Sequence, residues 1–201
     1  MILRKLLVQL MVIVATLLVS EADTQKLASE QERSEQTKFA PDAWRPGRQF
    51  VENPVEVPAG ALQVLRDTLS RGPLNCIKGH GTTPDQVPAS WFVGSVIHLD
   101  GPEEVDLIVQ PNIPKMIARE LPLAASCLLG ANVSPFWVLR SIGGRYSLLL
   151  ETYVLTLGVL DSRTNAYRDI QTISSTAVTR TTFLYKMDVA QYQLAEKKTG
   201  P

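Results

Sequence analysis

The sequence predicts an α+β domain, dominated by an antiparallel sheet built as a series of hairpins, with one helix packed against it near its N-terminus. Three observations carry this. Tyr146, Leu148 and Leu150 alternate with Arg145, Ser147 and Glu151 directly after Gly143-Gly144. Period-two alternation beside a Gly-Gly pair is a strong short-range signal for a β-hairpin with one buried face. The same alternation recurs in Tyr153, Leu155, Leu157 and Val159, and again in Thr179, Thr181, Phe183 and Tyr185. Finally, Leu62, Leu65 and Leu69 recur at helical spacing, widened by Ala61 and Val64 into one apolar stripe. A partial propeller-like repeat array and a small β-barrel are the competing architectures for the same strand pattern.

The chain divides into four stretches in order. Arg4 and Lys5 precede an apolar run over Leu6–Val19, and Ser20-Glu21-Ala22 supplies small residues for cleavage before Asp23. That layout predicts a secretory signal peptide over residues 1–22, and the apolar core is shorter than the about 20 residues a span requires. No membrane span is expected once the leader is removed, and the expected location is secreted or periplasmic. Residues 23–57 are rich in Glu, Gln, Ser, Lys and Pro, with Trp44 and Phe50 as the exceptions, and read as a flexible tether. Residues 58–195 form the β-rich domain, and 196–201 read as a disordered tail.

Within the domain, Pro58–Arg71 reads as the helix, entered at Pro58 and stopped by Gly72-Pro73. Gly79–Pro88 reads as a polar loop. Trp91–Leu99 and Val105–Gln110 read as two strands joined by a turn at Asp100–Glu104. Pro111–Leu129 is bracketed by prolines and reads as a structured loop. From Ser134 the hairpins take over, the last passing through Met187–Ala190 into Gln191–Leu194.

Composition narrows the functional classes. Lys+Arg and Asp+Glu are equal at 20 each. No global field steers such a chain to nucleic acid, and no basic run is interleaved with aromatics. Cys76 and Cys127 are the two cysteines. An even count in an exported chain predicts a disulfide between them, contributing about 4 kcal/mol on the loop-entropy model.

Two segments concentrate candidate functional groups. The turn after the first strand carries Asp100, Glu103, Glu104 and Asp106, oxygen donors of the kind a calcium loop uses. The second, Asp161–Asp169, is dense in charge and turn formers. Its Arg163, Asn165, Tyr167 and Arg168 are types suited to a recognition loop. Histidine is confined to His80 and His98. No nucleophile elbow, zinc-protease motif or reactive-cysteine signature accompanies them, so no catalytic residue, cofactor or resident metal is assigned.

The chain also resembles a family. Leu99-Asp100-Gly101 followed by Asp106-Leu107-Ile108-Val109, then Pro135-Phe136-Trp137-Val138-Leu139-Arg140, then Ser162-Arg163-Thr164-Asn165-Ala166-Tyr167-Arg168-Asp169-Ile170 is similar to exported bacterial proteins with FG-GAP/VCBS-like units of strand, acidic loop and strand. The likeness spans roughly Trp91–Leu194. His98 and Pro102 stand where the family loop places its first and third acidic ligands, so the acidic loop is degenerate. Ala166 stands where the resembling proteins usually show Gly, which predicts a type I turn at Asn165-Ala166. In a bacterial chain the acceptor pattern Asn132-Val133-Ser134 is discounted. The expectation is therefore an exported, non-catalytic binding module of a bacterial envelope, its partner an envelope or extracellular protein. The alternative is an envelope hydrolase using His80 or His98 with an acidic partner such as Asp161 or Asp169.

Overall fold

The computed structural model describes residues 54–69, 73–130 and 133–200. The expected leader, and the tether up to residue 53, lie outside the described residues. What remains is a three-layer α+β arrangement: helices, a five-stranded sheet, and a four-stranded sheet. The element order is β1 (Pro54–Val55), α1 (Ala59–Leu69), α2 (Leu74–Gly79), β2 (Phe92–Ile97), β3 (Asp106–Pro111), α3 (Ile113–Ile117), then β4 (Ser134–Ile142), β5 (Arg145–Val154), β6 (Thr156–Thr164), β7 (Tyr167–Ser175), β8 (Arg180–Asp188) and β9 (Gln191–Gly200). Strands β1 to β5 form one sheet in sequence order and β6 to β9 the other, with every pair antiparallel.

The compact apolar run Phe136–Leu139 explains the layering. β4 is buried on both faces, so it reads as continuous rather than alternating. Trp137 and Leu139 point to the helices, where Trp137 meets Phe92 edge-on with ring centroids 5.7 Å apart. Phe136 and Val138 point the other way, into the core shared with Leu157, Ile170, Met187 and Tyr192 of the second sheet. Between Val138 and Leu139 the register to β5 slips by one residue. This bulge lets Leu148 stay on the helix side while Leu149 and Leu150 both fill the inter-sheet core.

Helix α1 buries Ala61, Leu62, Leu65, Thr68 and Leu69, the stripe expected from spacing. Gly60 is where it meets the sheet, since a Cβ there would lie 3.4 Å from the Tyr146 ring. Arg66 donates from Nε and Nη2 to the Val87 carbonyl at 3.0 and 2.9 Å, tying the polar Gly79–Pro88 loop under the helix.

Several elements differ from the sequence reading. The alternating run through Tyr153 and Leu157 is two strands, because the chain changes sheet at Leu155, whose N–H donates to the Ile173 carbonyl at 2.8 Å. Residues 196–200, expected as a disordered tail, extend β9 in register with β8, from Glu196 opposite Leu184 to Gly200 opposite Arg180. A backbone ladder needs no apolar alternation when neither strand face is covered, and Gln193–Gly200 are all exposed. Likewise Pro54 and Val55, inside the expected tether, pair with Ser95 and Gly94. Gly94 makes room for that crossing, as a Cβ there would sit 3.2 Å from the Val55 side chain. Leu74–Gly79 is helical, and the structured loop Pro111–Leu129 contains α3 and a 3-10 segment at Leu123–Leu128.

The turns also sort by type. Gly143 and Gly144 have φ of +55° and +77° between paired Ile142 and Arg145, the primed two-residue loop that suits strand twist. Asn165 and Ala166 adopt the same conformation, with φ of +52° and +71°, between paired Thr164 and Tyr167. The type I turn expected there is overturned: strand register dictates the primed geometry, and Ala166 bears the left-handed conformation despite its Cβ.

Candidate functional site

The two segments singled out in the sequence converge at one end of the inter-sheet core. Leu99 is the junction. Its carbonyl accepts from the Arg168 backbone N–H at 2.9 Å and from Arg163 Nη1 at 3.1 Å. Its own N–H donates to Asp106 Oδ2 at 3.0 Å. The acidic turn of the first sheet and the β6–β7 hairpin of the second are thereby sewn together.

Asp106 is fully buried at 0% exposure. Its second oxygen accepts from the Ser141 N–H at 3.0 Å. β3 begins at Asp106, level with the end of β2 at Ile97, while β4 runs on to Ile142, so Leu99 and Ser141 both lie beyond the β3 ladder. One carboxylate satisfies both donors in its place. Burial pushes its pKa above the ordinary carboxylate value, against the two backbone N–H groups and Arg140, which pull it down. Asp100 turns towards the same interior and accepts from Arg140 Nη2 at 3.0 Å. The Arg140 guanidinium in turn lies 4.9 Å over the Tyr167 ring. Burial raises the Tyr167 phenol pKa.

These geometries engage two of the four cation-loop candidates, Asp100 and Asp106, within the fold. Asp106 is spent on backbone donors and Asp100 on Arg140. Glu103 is exposed, while the Glu104 carbonyl faces His98 Nδ1 at 2.9 Å. The four acidic residues do not gather into a group of three donors.

The expected recognition residues are also largely engaged in the fold. Arg163 Nη1 donates to the Ala166 carbonyl at 2.7 Å as well as to Leu99. Asn165 donates to the Met187 carbonyl at 2.8 Å, bridging to the β8–β9 hairpin. Arg168 donates from Nε to the Leu160 carbonyl at 2.9 Å and from Nη2 to Asp161 at 3.1 Å. Asp169 accepts from Ser162 Oγ at 2.7 Å. Tyr192 donates its hydroxyl to the Arg168 carbonyl, and burial drives its pKa far above the usual phenol value. Sequence reasoning did not single out Tyr192, nor Arg140 as a functional group. Only the alternation of Tyr192 with exposed Gln191 and Gln193 marks it as inward-facing.

The expected disulfide is present, joining Cys76 of α2 to Cys127 in the 3-10 segment. It staples the two segments with least sheet structure to each other. His80 caps α2, its N–H bonding the carbonyls of Cys76 and Ile77 at 3.3 and 3.1 Å. His98 and His80 thus lie in different settings, one at the end of β2 and one beside the disulfide.

A groove of about 530 Å³ opens on the opposite edge of the five-stranded sheet. Val55, Phe92, Val93 and Pro114 give it apolar walls, with Glu56 and Lys115 at its margin. It exists because β1 is only two residues long. The chain leaves the sheet after Val55 to enter α1, so the Phe92–Val93 end of β2 has no ladder partner on that side. The groove is not legible from sequence, because its residues come from four separate elements. Among the described residues, no helix is long and apolar enough to cross a membrane. No protein-family model matches the chain, and neither a curated protein nor a solved structure is similar enough to match it.

Proposed function

We propose that this chain is an exported, non-catalytic interaction module of a bacterial envelope, and that it receives a short, extended, apolar segment of a partner protein in the groove beside β2. The carrying observation is the coincidence of that groove with the Phe92–Val93 end of β2, which has no ladder partner on that side among the described residues, the Phe92 N–H donating instead to the Ala89 carbonyl. Its volume falls within the range of small-ligand sites, and an unpaired edge offers backbone hydrogen bonds while apolar pockets select side chains. Export is supported by the Cys76–Cys127 bond, which persists in an oxidising compartment. The non-catalytic reading is supported by how Asp100, Asp106, Arg163, Arg168 and Asp169 are used: their polar groups hold turns and strand ends.

Selection of a random peptide library on the immobilised protein tests this. Selected peptides are apolar and proline-poor, and Val93→Arg weakens them by at least about 10-fold, the cost of placing one charge in an apolar wall. Arg163→Ala leaves their affinity unchanged. Peptides indifferent to Val93→Arg but lost with Arg163→Ala would move recognition to the β6–β7 hairpin, and failure to select any sequence would remove the groove as a peptide site.

A further inference from the structure

The donor atoms of Cys76, His80 and Cys127 all lie within 4.8 Å of one another. Cys76 and His80 are four residues apart around α2 and its cap, so both side chains leave the same face. Cys127 reaches them from 51 residues further along the chain. Cys76 and His80 are exposed and Cys127 is half-buried. The His80 imidazole enters no side-chain hydrogen bond within the described residues; only its backbone N–H is engaged. The ring, unlike the capping backbone, holds nothing in place among the described residues, and it completes a set of two sulfurs and one nitrogen.

We infer that reduction of the Cys76–Cys127 disulfide converts this trio into a binding site for a thiophilic divalent cation of the zinc class. The steps balance. A dithiol reductant supplies two electrons and two protons, becoming a disulfide itself and leaving Cys76 and Cys127 as thiols. The cation then displaces both thiol protons to solvent and is held by two thiolates and a neutral imidazole nitrogen. A solvent molecule completes a tetrahedron, the geometry this donor set favours. With metal–sulfur distances of about 2.3 Å and metal–nitrogen distances of about 2.0 Å, the donors must stand roughly 3.5–3.8 Å apart. Breaking the sulfur–sulfur bond lets the thiolates separate to that spacing, and a rotation of the exposed His80 ring closes the remainder. The Cα atoms of the two cysteines, 5.7 Å apart, need little adjustment.

The consequence is a redox-selected staple. Disulfide and metal join the same two segments and exclude each other, since a sulfur in the disulfide carries no charge to offer a cation. The α2 segment is thus held to the 3-10 segment in either redox state, by metal when the cysteines are reduced and by the disulfide when they are oxidised.

Co²⁺ serves as the spectroscopic probe. The full chain, reduced with a dithiol and desalted without oxygen, is expected to take up one equivalent of Co²⁺. The visible bands of a tetrahedral site and a near-ultraviolet sulfur charge-transfer band should appear together, and Zn²⁺ should bleach both. The oxidised protein gives neither, and reduced His80→Ala binds at least about 10-fold more weakly, as a site short of one ligand must. Absence of the bands in the reduced protein, their presence in the oxidised protein, or unchanged affinity in His80→Ala would each overturn the inference. Should the reduced chain lose its fold, thermal melting decides: Zn²⁺ raises the Tm of reduced wild type and not of reduced His80→Ala, and no rise in wild type overturns the site.

Discussion

Replacing Asp106 tests whether a buried carboxylate substitutes for the missing start of β3. Asp106→Ala deletes the acceptor of both the Leu99 and Ser141 N–H groups while leaving them inside the protein. Each unsatisfied buried donor costs about 1–3 kcal/mol, so the loss should be about 2–6 kcal/mol. Asp106→Asn keeps one acceptor and turns an amide N–H against the other donor, for a loss of about 1–3 kcal/mol. The pH dependence separates this from a simple packing defect. The folded pKa of Asp106 is raised above the reference value of 3.8, chiefly by burial. The native state therefore holds its proton to higher pH than the unfolded chain does. The stability attached to that proton is complete below 3.8 and is lost as pH rises through the folded pKa. The advantage of wild type over Asp106→Asn, which cannot titrate, should accordingly be larger in acid and shrink towards neutrality. Urea unfolding of the three proteins at acidic and neutral pH measures it. An Asp106→Ala protein as stable as wild type, or a gap that widens with rising pH, would refute the reasoning.

Three further outcomes follow from the same structure. Cys76→Ser with Cys127→Ser, compared with the oxidised wild type in the presence of a chelator, should lose about 4 kcal/mol in urea unfolding, because the bond closes a separation of 51 residues. Ala166→Gly should stabilise the protein by about 1 kcal/mol, since φ of +71° carries a Cβ penalty that glycine lacks; a lower Tm would show that the alanine side chain is needed. Tyr167→Ala should lower stability by about 1–2 kcal/mol, through loss of the ring beneath Arg140 and of its half-buried area, and more than Arg163→Ala, which removes hydrogen bonds made by an exposed residue. Equal melting temperatures for these two variants would leave the Tyr167 ring without an anchoring role.

Helix α1 was legible because it buries a single face, and a face writes its period into the sequence. The β4–β5 hairpin was legible instead from its Gly143-Gly144 turn and the alternation of Tyr146 and Leu148 with exposed Arg145 and Ser147 beside it. The disulfide was legible because two cysteines admit one pairing. The strand β9 was not, since a strand exposed on both sides has only its hydrogen-bond ladder, which side-chain types do not report. The site residues show the same division more sharply. Asp100, Asp106, Arg163 and Arg168 stood out in their local sequence, and the partners they meet are tertiary. An acidic turn reads as a cation loop only while its neighbours are unknown. Once Ser141 and Arg140 arrive from β4, the same carboxylates face a backbone N–H and a guanidinium, and the negative charge has found its partner within the chain. The hairpin arginines make the corresponding point with opposite sign: charge density alone suggested a partner elsewhere, whereas the carbonyls of Leu99, Leu160 and Ala166 already supply one. The recognition surface proposed above is instead the apolar edge where β1 leaves the sheet after two residues. A strand that stops early cannot be read from its own composition, because the cause lies in the turn towards α1 that Pro58 and the Leu62–Leu65–Leu69 stripe impose on the chain behind it.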